Sequence, residues 1–255
     1  MKNFSAYLKK EMLENLRTYR LLILFIAYIL FGLMEPILYR MLPVILESEG
    51  FDPAMMGMMD TSQQGLLRSY MANLSQIGLI VVTLTIMGTL AHELQRKYWI
   101  LPRSKGGNAA SLVLSKFFLY GTGLVIATLL GFLVNNFYGR VLFEYTGLQL
   151  SGVIQGALLF SLYFVFLLAL MFFFTSLLQK GIPSVLLTLF ISFLVFPLLN
   201  NFSALQNFLP YGLMEESGKF FFDWSSLAPV LVSTLFFTAL CLWGTIRRIK
   251  TMEIL

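Results

Sequence analysis

Few residues in this chain are equipped for chemistry. One histidine, His92, and one cysteine, Cys241, occur among 255 residues, which leaves neither a disulfide framework nor a Cys/His zinc site. A phosphate-cradling loop needs Gly-x-x-x-x-Gly-Lys-Ser/Thr, whose amides hold phosphate and whose hydroxyl holds Mg²⁺. Gly218-Lys219 is followed by Phe220 instead. Glu215-Glu216 has the look of a glutamate-pair protease motif, but that chemistry wants an arginine where Phe220 stands and histidines on neighbouring helices. Asn201-Phe202-Ser203 has the form of a glycosylation acceptor, which matters only on a secretory pathway. His92 beside Glu93 reads as a boundary residue, not a ligand. No enzyme is expected, and no cofactor in this chain. What remains is a small set of acids, cations and polar residues distributed over very apolar elements.

Those elements follow from composition. The chain is 58% hydrophobic, 15% aromatic and 12% charged, against about 25% charged for a soluble domain. That excludes an ordinary soluble enzyme, and 25 Phe, 11 Tyr and 3 Trp exclude a disordered chain. A bilayer core needs about 20 apolar residues per helix. Six stretches qualify: Leu21 to Leu42, Tyr70 to Ala91, Leu112 to Tyr138, Gly152 to Leu178, Ile182 to Asn200 and Leu227 to Ile246. None alternates with period two, so a β-barrel is a poor fit. Gln179, Lys180 and Gly181, with Pro183 just after, mark a tight hairpin between the fourth and fifth spans. The fold class is therefore an all-α membrane protein of six transmembrane helices, one domain over residues 1–255.

Orientation follows from the cations. Lys2, Lys9, Lys10, Arg17 and Arg20 precede the first span, and Arg96, Lys97, Arg103, Lys105 and Lys116 follow the second. Lys180, Arg247, Arg248 and Lys250 join that side, which leaves Arg40, Arg68, Arg140 and Lys219 opposite, among eight of the acids. A multi-pass protein of the cell membrane with both termini cytoplasmic is expected, and the net charge of +5 is a topology signal, not a nucleic-acid footprint. The first apolar run is too long, and too far from the start, for a signal peptide. Residues 1–20 read as an interfacial helix. Phe4, Leu8, Met12, Leu16 and Tyr19 share an arc of roughly 120°, with the cations opposite, towards anionic lipid. It is either a plain lead-in or an elbow that carries force to the first span.

Residues 92–111 form the one long cytoplasmic connection. Tyr98-Trp99-Ile100-Leu101 sits there between Arg96-Lys97 and Pro102-Arg103. Leaving such a run in water wastes about 1.5–3 kcal/mol per side chain, so it either anchors at the bilayer surface or docks a cytoplasmic protein. Within the spans, Glu35 is the one acid, with Pro36 beside it and Arg40 beyond. It is either an interfacial acid paired to Arg40 or a cation or proton site. Asn73, Gln76 and Thr83 share a face of the second span, and Ser184, Thr188 and Ser192 share one of the fifth. They are interhelical glue or the lining of a route. Gly123, Ala127 and Gly131 form a close-packing seam on the third span. Residues 201–226 are too apolar for a free loop and suit an external re-entrant hairpin.

Several of these pieces together resemble one family. Glu93-Leu-Gln-Arg-Lys, Ile100-Leu101-Pro102, Ser104-Lys105-Gly106 and Leu114-Ser115-Lys116-Phe117 are similar to the signature of ABC-2 type permeases, the membrane subunits of ATP-binding-cassette exporters. Lys10-Glu11, Glu14 and Arg17-Thr18 resemble that family's N-terminal helix, and Leu209-Pro210-Tyr211 and the basic tail also fit. The chain departs from the pattern at Lys97-Tyr98, where many members have Gly-Thr, and at Ala109, where many have a basic residue.

The resemblance implies an ABC-2 (type V) exporter-like fold and a permease that works as a dimer, with itself or a sister permease, in membrane lipid. Two separate ATPase subunits would hold the ATP and Mg²⁺. They would dock on Glu93, Arg96, Lys97, Tyr98, Trp99, Pro102, Arg103 and Lys105, with Gln179 and Lys180 as a second contact. Glu93 would pair with Lys10 or Arg17, or cap the coupling helix. Asn73, Gln76, Thr83, Ser184, Thr188 and Ser192 would line the dimer interface or the route of an amphipathic or hydrophobic substrate such as a peptide, antibiotic or lipid-like molecule. A self-contained secondary carrier or structural membrane protein is the alternative.

Overall fold

The structure is a computed structural model. It describes residues 2–48, 62–98, 107–145, 147–202, 206 and 208–252, with the backbone alone at 2, 3 and 46–48. Among these every regular element is helical. A helix α1 (Lys2–Thr18) leads into α2 (Arg20–Ser48). Then come α3 (Gln63–Gln95), α4 (Ala109–Phe143), α5 (Leu150–Leu178) and α6 (Gly181–Asn200). A short α7 (Gly212–Ser217) and a long α8 (Trp224–Thr251) complete the chain. Six of them, α2 to α6 and α8, are long and apolar enough to cross a membrane. They contain the six expected apolar runs, α2 as Arg20–Ile45, and each helix is longer than its run.

The helix ends follow local chemistry. Ser62 Oγ accepts from the Gly65 amide at 3.0 Å and starts α3, and Asn108 accepts from the Ser111 amide at 2.6 Å and starts α4. Asp223 accepts from the Ser225 amide and hydroxyl at the head of α8, and these bonds hold its exposed carboxyl below the usual range. Tyr19, Lys97, Glu144 and Gln179 adopt the left-handed conformation at φ 54° where helices end. At Gln179 this makes the tight turn between α5 and α6. At Lys97 it marks a place where glycine would sit without strain.

Helix α4 runs against α2, and α5 lies between α4 and α8. Buried rings step through this centre: Tyr70 to Phe132 at 5.2 Å, Phe132 to Phe160 at 5.8 Å, Phe160 to Phe164 at 5.2 Å and Phe164 to Tyr28 at 6.0 Å. The small-residue seam does bring backbones together. A Cβ on Gly32 would stand 2.6 Å from the Gly131 carbonyl, and one on Gly131 would strike the Tyr70 hydroxyl. That hydroxyl donates to the Tyr28 carbonyl at 3.1 Å, so α2, α3 and α4 meet at one point.

Two expectations change. Helix α1 docks on α4, with Tyr7 and Glu11 buried and Phe4 edge-on to Phe118 at 6.3 Å. Met12, Leu16 and Tyr19 face away from the bundle, Leu16 being 66% exposed. The apolar arc is thus free to meet lipid, and the inward face is the one that carries a carboxylate. Glu35 does not pair with Arg40. It is buried and accepts from the Ser69 hydroxyl and, at 2.7 Å, from Asn73 Nδ2, which ties α2 to α3.

Of the segment 201–226, residues 203–205 and 207 lie outside the described residues. The rest packs on α5. The Phe220 carbonyl would be 2.5 Å from a Cβ on Gly152, and the Ser217 carbonyl 2.8 Å from one on Gly156. Tyr211 meets Tyr163 edge-on at 6.3 Å. From Gly152 to Tyr163 is about 16 Å along the helix, so the segment follows α5 well into its length. Arg68 donates to the Gly218 carbonyl at 3.0 Å, and Lys219 pairs with Glu216 at 2.6 Å.

Candidate functional site

Two places concentrate polar groups. The first joins α1, the end of α3 and the start of α4. Lys116 lies seven residues into α4 and is 0% exposed. Its Nζ reaches Glu11 Oε2 at 2.7 Å and Glu93 Oε1 at 3.3 Å. Lys10 closes the ring on Glu93 and on Glu11, the latter at 3.2 Å. Glu14 follows at the rim, 3.8 Å from Lys10 and 3.3 Å from Arg20. Partial burial works against the Lys10 ammonium, but Glu93 and Glu11 outweigh it and hold its pKa above the usual lysine value. Two ammonium groups and two carboxylates balance inside the cluster, which is what makes burial of Glu11, Glu93 and Lys116 tolerable, with Lys10 exposed at its rim. Glu11, Glu14 and Glu93 bring oxygens within 4.8 Å of one another, a spacing that suits a cation, but Lys10 and Lys116 already stand among them.

Glu93 thus pairs with Lys10 and with Lys116, while Arg17 is exposed on the outer face of α1. Glu93 ends α3 and does not cap a following helix among the described residues. Arg96, Lys97 and Tyr98 are exposed just beyond it, with Arg96 donating to the Tyr98 hydroxyl at 3.2 Å. Trp99, Pro102, Arg103 and Lys105 lie outside the described residues. Gln179 and Lys180 are exposed at the same end. Lys180 shares a cleft of about 290 Å³ with His92 and Gln95, so the two expected docking contacts are neighbours. Glu11 and Lys116 escaped sequence reasoning. By charge alone Lys116 reads as a loop cation, but its flanks Leu112 to Leu114 and Phe117 to Leu119 are the signal that it is buried.

The second place is a groove between α3 and α6. Each helix is interrupted there by one π-turn, Leu74–Gly78 in α3 and Ile191–Val195 in α6. Such turns displace the side-chain register and occur often at functional sites. They bound a cavity of about 550 Å³ that holds Gln76, Ser192, Tyr163 and Tyr211. The Tyr163 and Ser192 hydroxyls are 2.9 Å apart. Only two of the six stripe residues thus face the cavity. Asn73 serves Glu35, and Thr83, Ser184 and Thr188 are buried, each donating to a carbonyl of its own helix. A hydroxyl that bonds its own turn is free to face packed helices, which is why these three turn inward.

No family profile matches the chain, and no solved structure matches it. Over 146 residues it is 28% identical to the uncharacterized transmembrane protein YxlG of Bacillus subtilis (strain 168). The match covers 56% of this chain and spans 57% of that protein's length. With six apolar helices of spanning length, this likeness makes the chain a helical, multi-span membrane protein.

Proposed function

We propose that this protein is the permease subunit of an ABC exporter, a half-channel that works as a dimer and takes its energy from separate ATPase subunits. The observation that carries the proposal is the ion cluster of the buried Glu11, Glu93 and Lys116, closed at its rim by Lys10. It joins three helices on both flanks of the connection between α3 and α4. A push on that connection would reach α1, α3 and α4 as one body, because separating the charges would leave them buried and unpaired. The exposed Arg96, Lys97, Tyr98, Gln179 and Lys180 lie at that end and suit a partner's docking face. The six-span order and the family resemblance support the same reading.

In this scheme ATP closes two partner ATPases on each other, the coupling connections move, and the groove between α3 and α6 opens along the route. The substrate is amphipathic or hydrophobic and leaves from the cytoplasm or inner leaflet. The test is copurification from native membranes followed by ATPase assays in lipid. An ATPase with a phosphate-binding loop should copurify, and Trp99→Ala/Arg103→Ala should release it while the permease stays folded. Substrate movement by the purified chain alone under an ion gradient would overturn the proposal in favour of a secondary carrier.

A further inference from the structure

The groove between α3 and α6 has a chemistry that narrows its ligand. Gln76 lies within about 5 Å of the midpoint of α3, and Ser192 and Tyr163 lie within about 2 Å of the midpoints of α6 and α5. A cavity at those positions is at mid-bilayer depth. Gln76 is exposed there, and its amide has no hydrogen-bond partner among the described residues; the Tyr211 hydroxyl has none either. An amide without a partner at that depth is costly, since lipid tails offer it nothing. Beside these groups Ile77, Ile80, Phe193, Pro197 and Met214 supply the apolar part of the lining. Among the described residues the lining has no charged side chain.

We infer that this groove binds an uncharged amphiphile, its hydroxyl- or amide-bearing head on Gln76, Ser192 and Tyr211 and its chain along Ile77, Ile80 and Phe193. Charge is what the site rejects. A phosphate or ammonium would enter the middle of the membrane with no countercharge in the lining, and that burial is far more expensive than burying a neutral head. The volume of about 550 Å³ matches a small-molecule site that holds a head group and part of a chain. Tyr211 and Met214 come from the segment between α6 and α8, so that segment forms one wall of the site. The inference rests on the export reading for the groove's role as a route, while binding itself requires no ATP.

The test uses the full chain in lipid nanodiscs, without nucleotide, and a monoacylglycerol that carries a photoreactive diazirine in its chain. Labelled peptides should concentrate in residues 75–80 and 192–197. Unlabelled monoacylglycerol should compete, and an alkyl phosphate and an alkyltrimethylammonium of equal chain length should not. Gln76→Leu and Ser192→Ala should each cut labelling about fivefold, the worth of one hydrogen bond, with elution as a monodisperse species showing that the fold is kept. Labelling spread evenly over lipid-facing helices, or equal competition by the charged amphiphiles, would overturn the inference. So would efficient disulfide coupling between copies through Ile77→Cys in a Cys241→Ser background, since the groove would then be a contact between chains. Binding as expected with no ATPase partner found would leave this inference standing and remove the export reading.

Discussion

Lys116 concentrates the argument at the scale of a residue. It is fully buried, and its ammonium is held by two carboxylates from two other helices. Removing one member of such a group leaves the others uncompensated, which costs about 3–5 kcal/mol, whereas replacing both members by apolar residues is close to neutral. Lys116→Met should therefore lower the thermal unfolding midpoint in detergent sharply. Lys116→Met/Glu11→Met should recover more than half of the loss, because Glu93 keeps Lys10. Equal destabilisation by the single and double variants would show that the charges are not coupled. Half of this cluster was legible: the family resemblance implies that Glu93 pairs with Lys10 or Arg17, or caps the coupling helix, and Lys10 is the one of these that it meets. The other half was hidden, because Glu11 looks like a surface residue on a basic helix and Lys116 looks like one more loop cation. Their burial is decided by how α1 rolls onto α4, and hydropathy does not report that.

At the scale of elements, the spans were legible because 20 apolar residues in a row have few alternatives in a chain so poor in charge. Their packing was legible only where small residues demand it. Gly131 is the sharpest case: a methyl there would strike the Tyr70 hydroxyl and approach the Tyr28 carbonyl at 2.9 Å. Gly131→Ala should cost about 1–3 kcal/mol, the range for overpacking, and Tyr70→Phe in the same chain should return part of it by removing the hydroxyl. Gly147→Ala, with nothing within 4 Å of the new methyl, is the matched control, and unfolding in detergent reads all three. The π-turns had no sequence signal of their own, since Leu-Ser-Gln-Ile-Gly and Ile-Ser-Phe-Leu-Val continue the apolar spans with polar residues like those elsewhere in the two stripes. The cavity they bound takes in Gln76 and Ser192 but not Thr83, Ser184 or Thr188, which the stripe pattern places with them.

For the whole molecule, charge and helix order make one prediction together. The contacts between α1, the ends of α3 and α5 and the starts of α4 and α6, with Gln179 3.6 Å from Met252 Sδ, gather Lys9, Lys10, Arg17, Arg20, Arg96, Lys97, Lys116, Lys180, Arg247, Arg248 and Lys250 at one end of the bundle. Arg40, Arg68, Arg140 and Lys219 remain at the other, where Arg68 and Lys219 are engaged by the segment before α8. Lys and Arg are retained on the cytoplasmic side as a chain inserts, so the crowded end is expected to face the cytoplasm, with both termini there. In a Cys241→Ser background, single cysteines at Ser5 and Gly147 should differ in whole cells. Gly147→Cys should react with a membrane-impermeant maleimide, and Ser5→Cys only after the cells are opened. The opposite pattern would place the clustered ends of α3 and α5 outside, away from any ATP, and would end the export reading at the level of topology before any partner is sought.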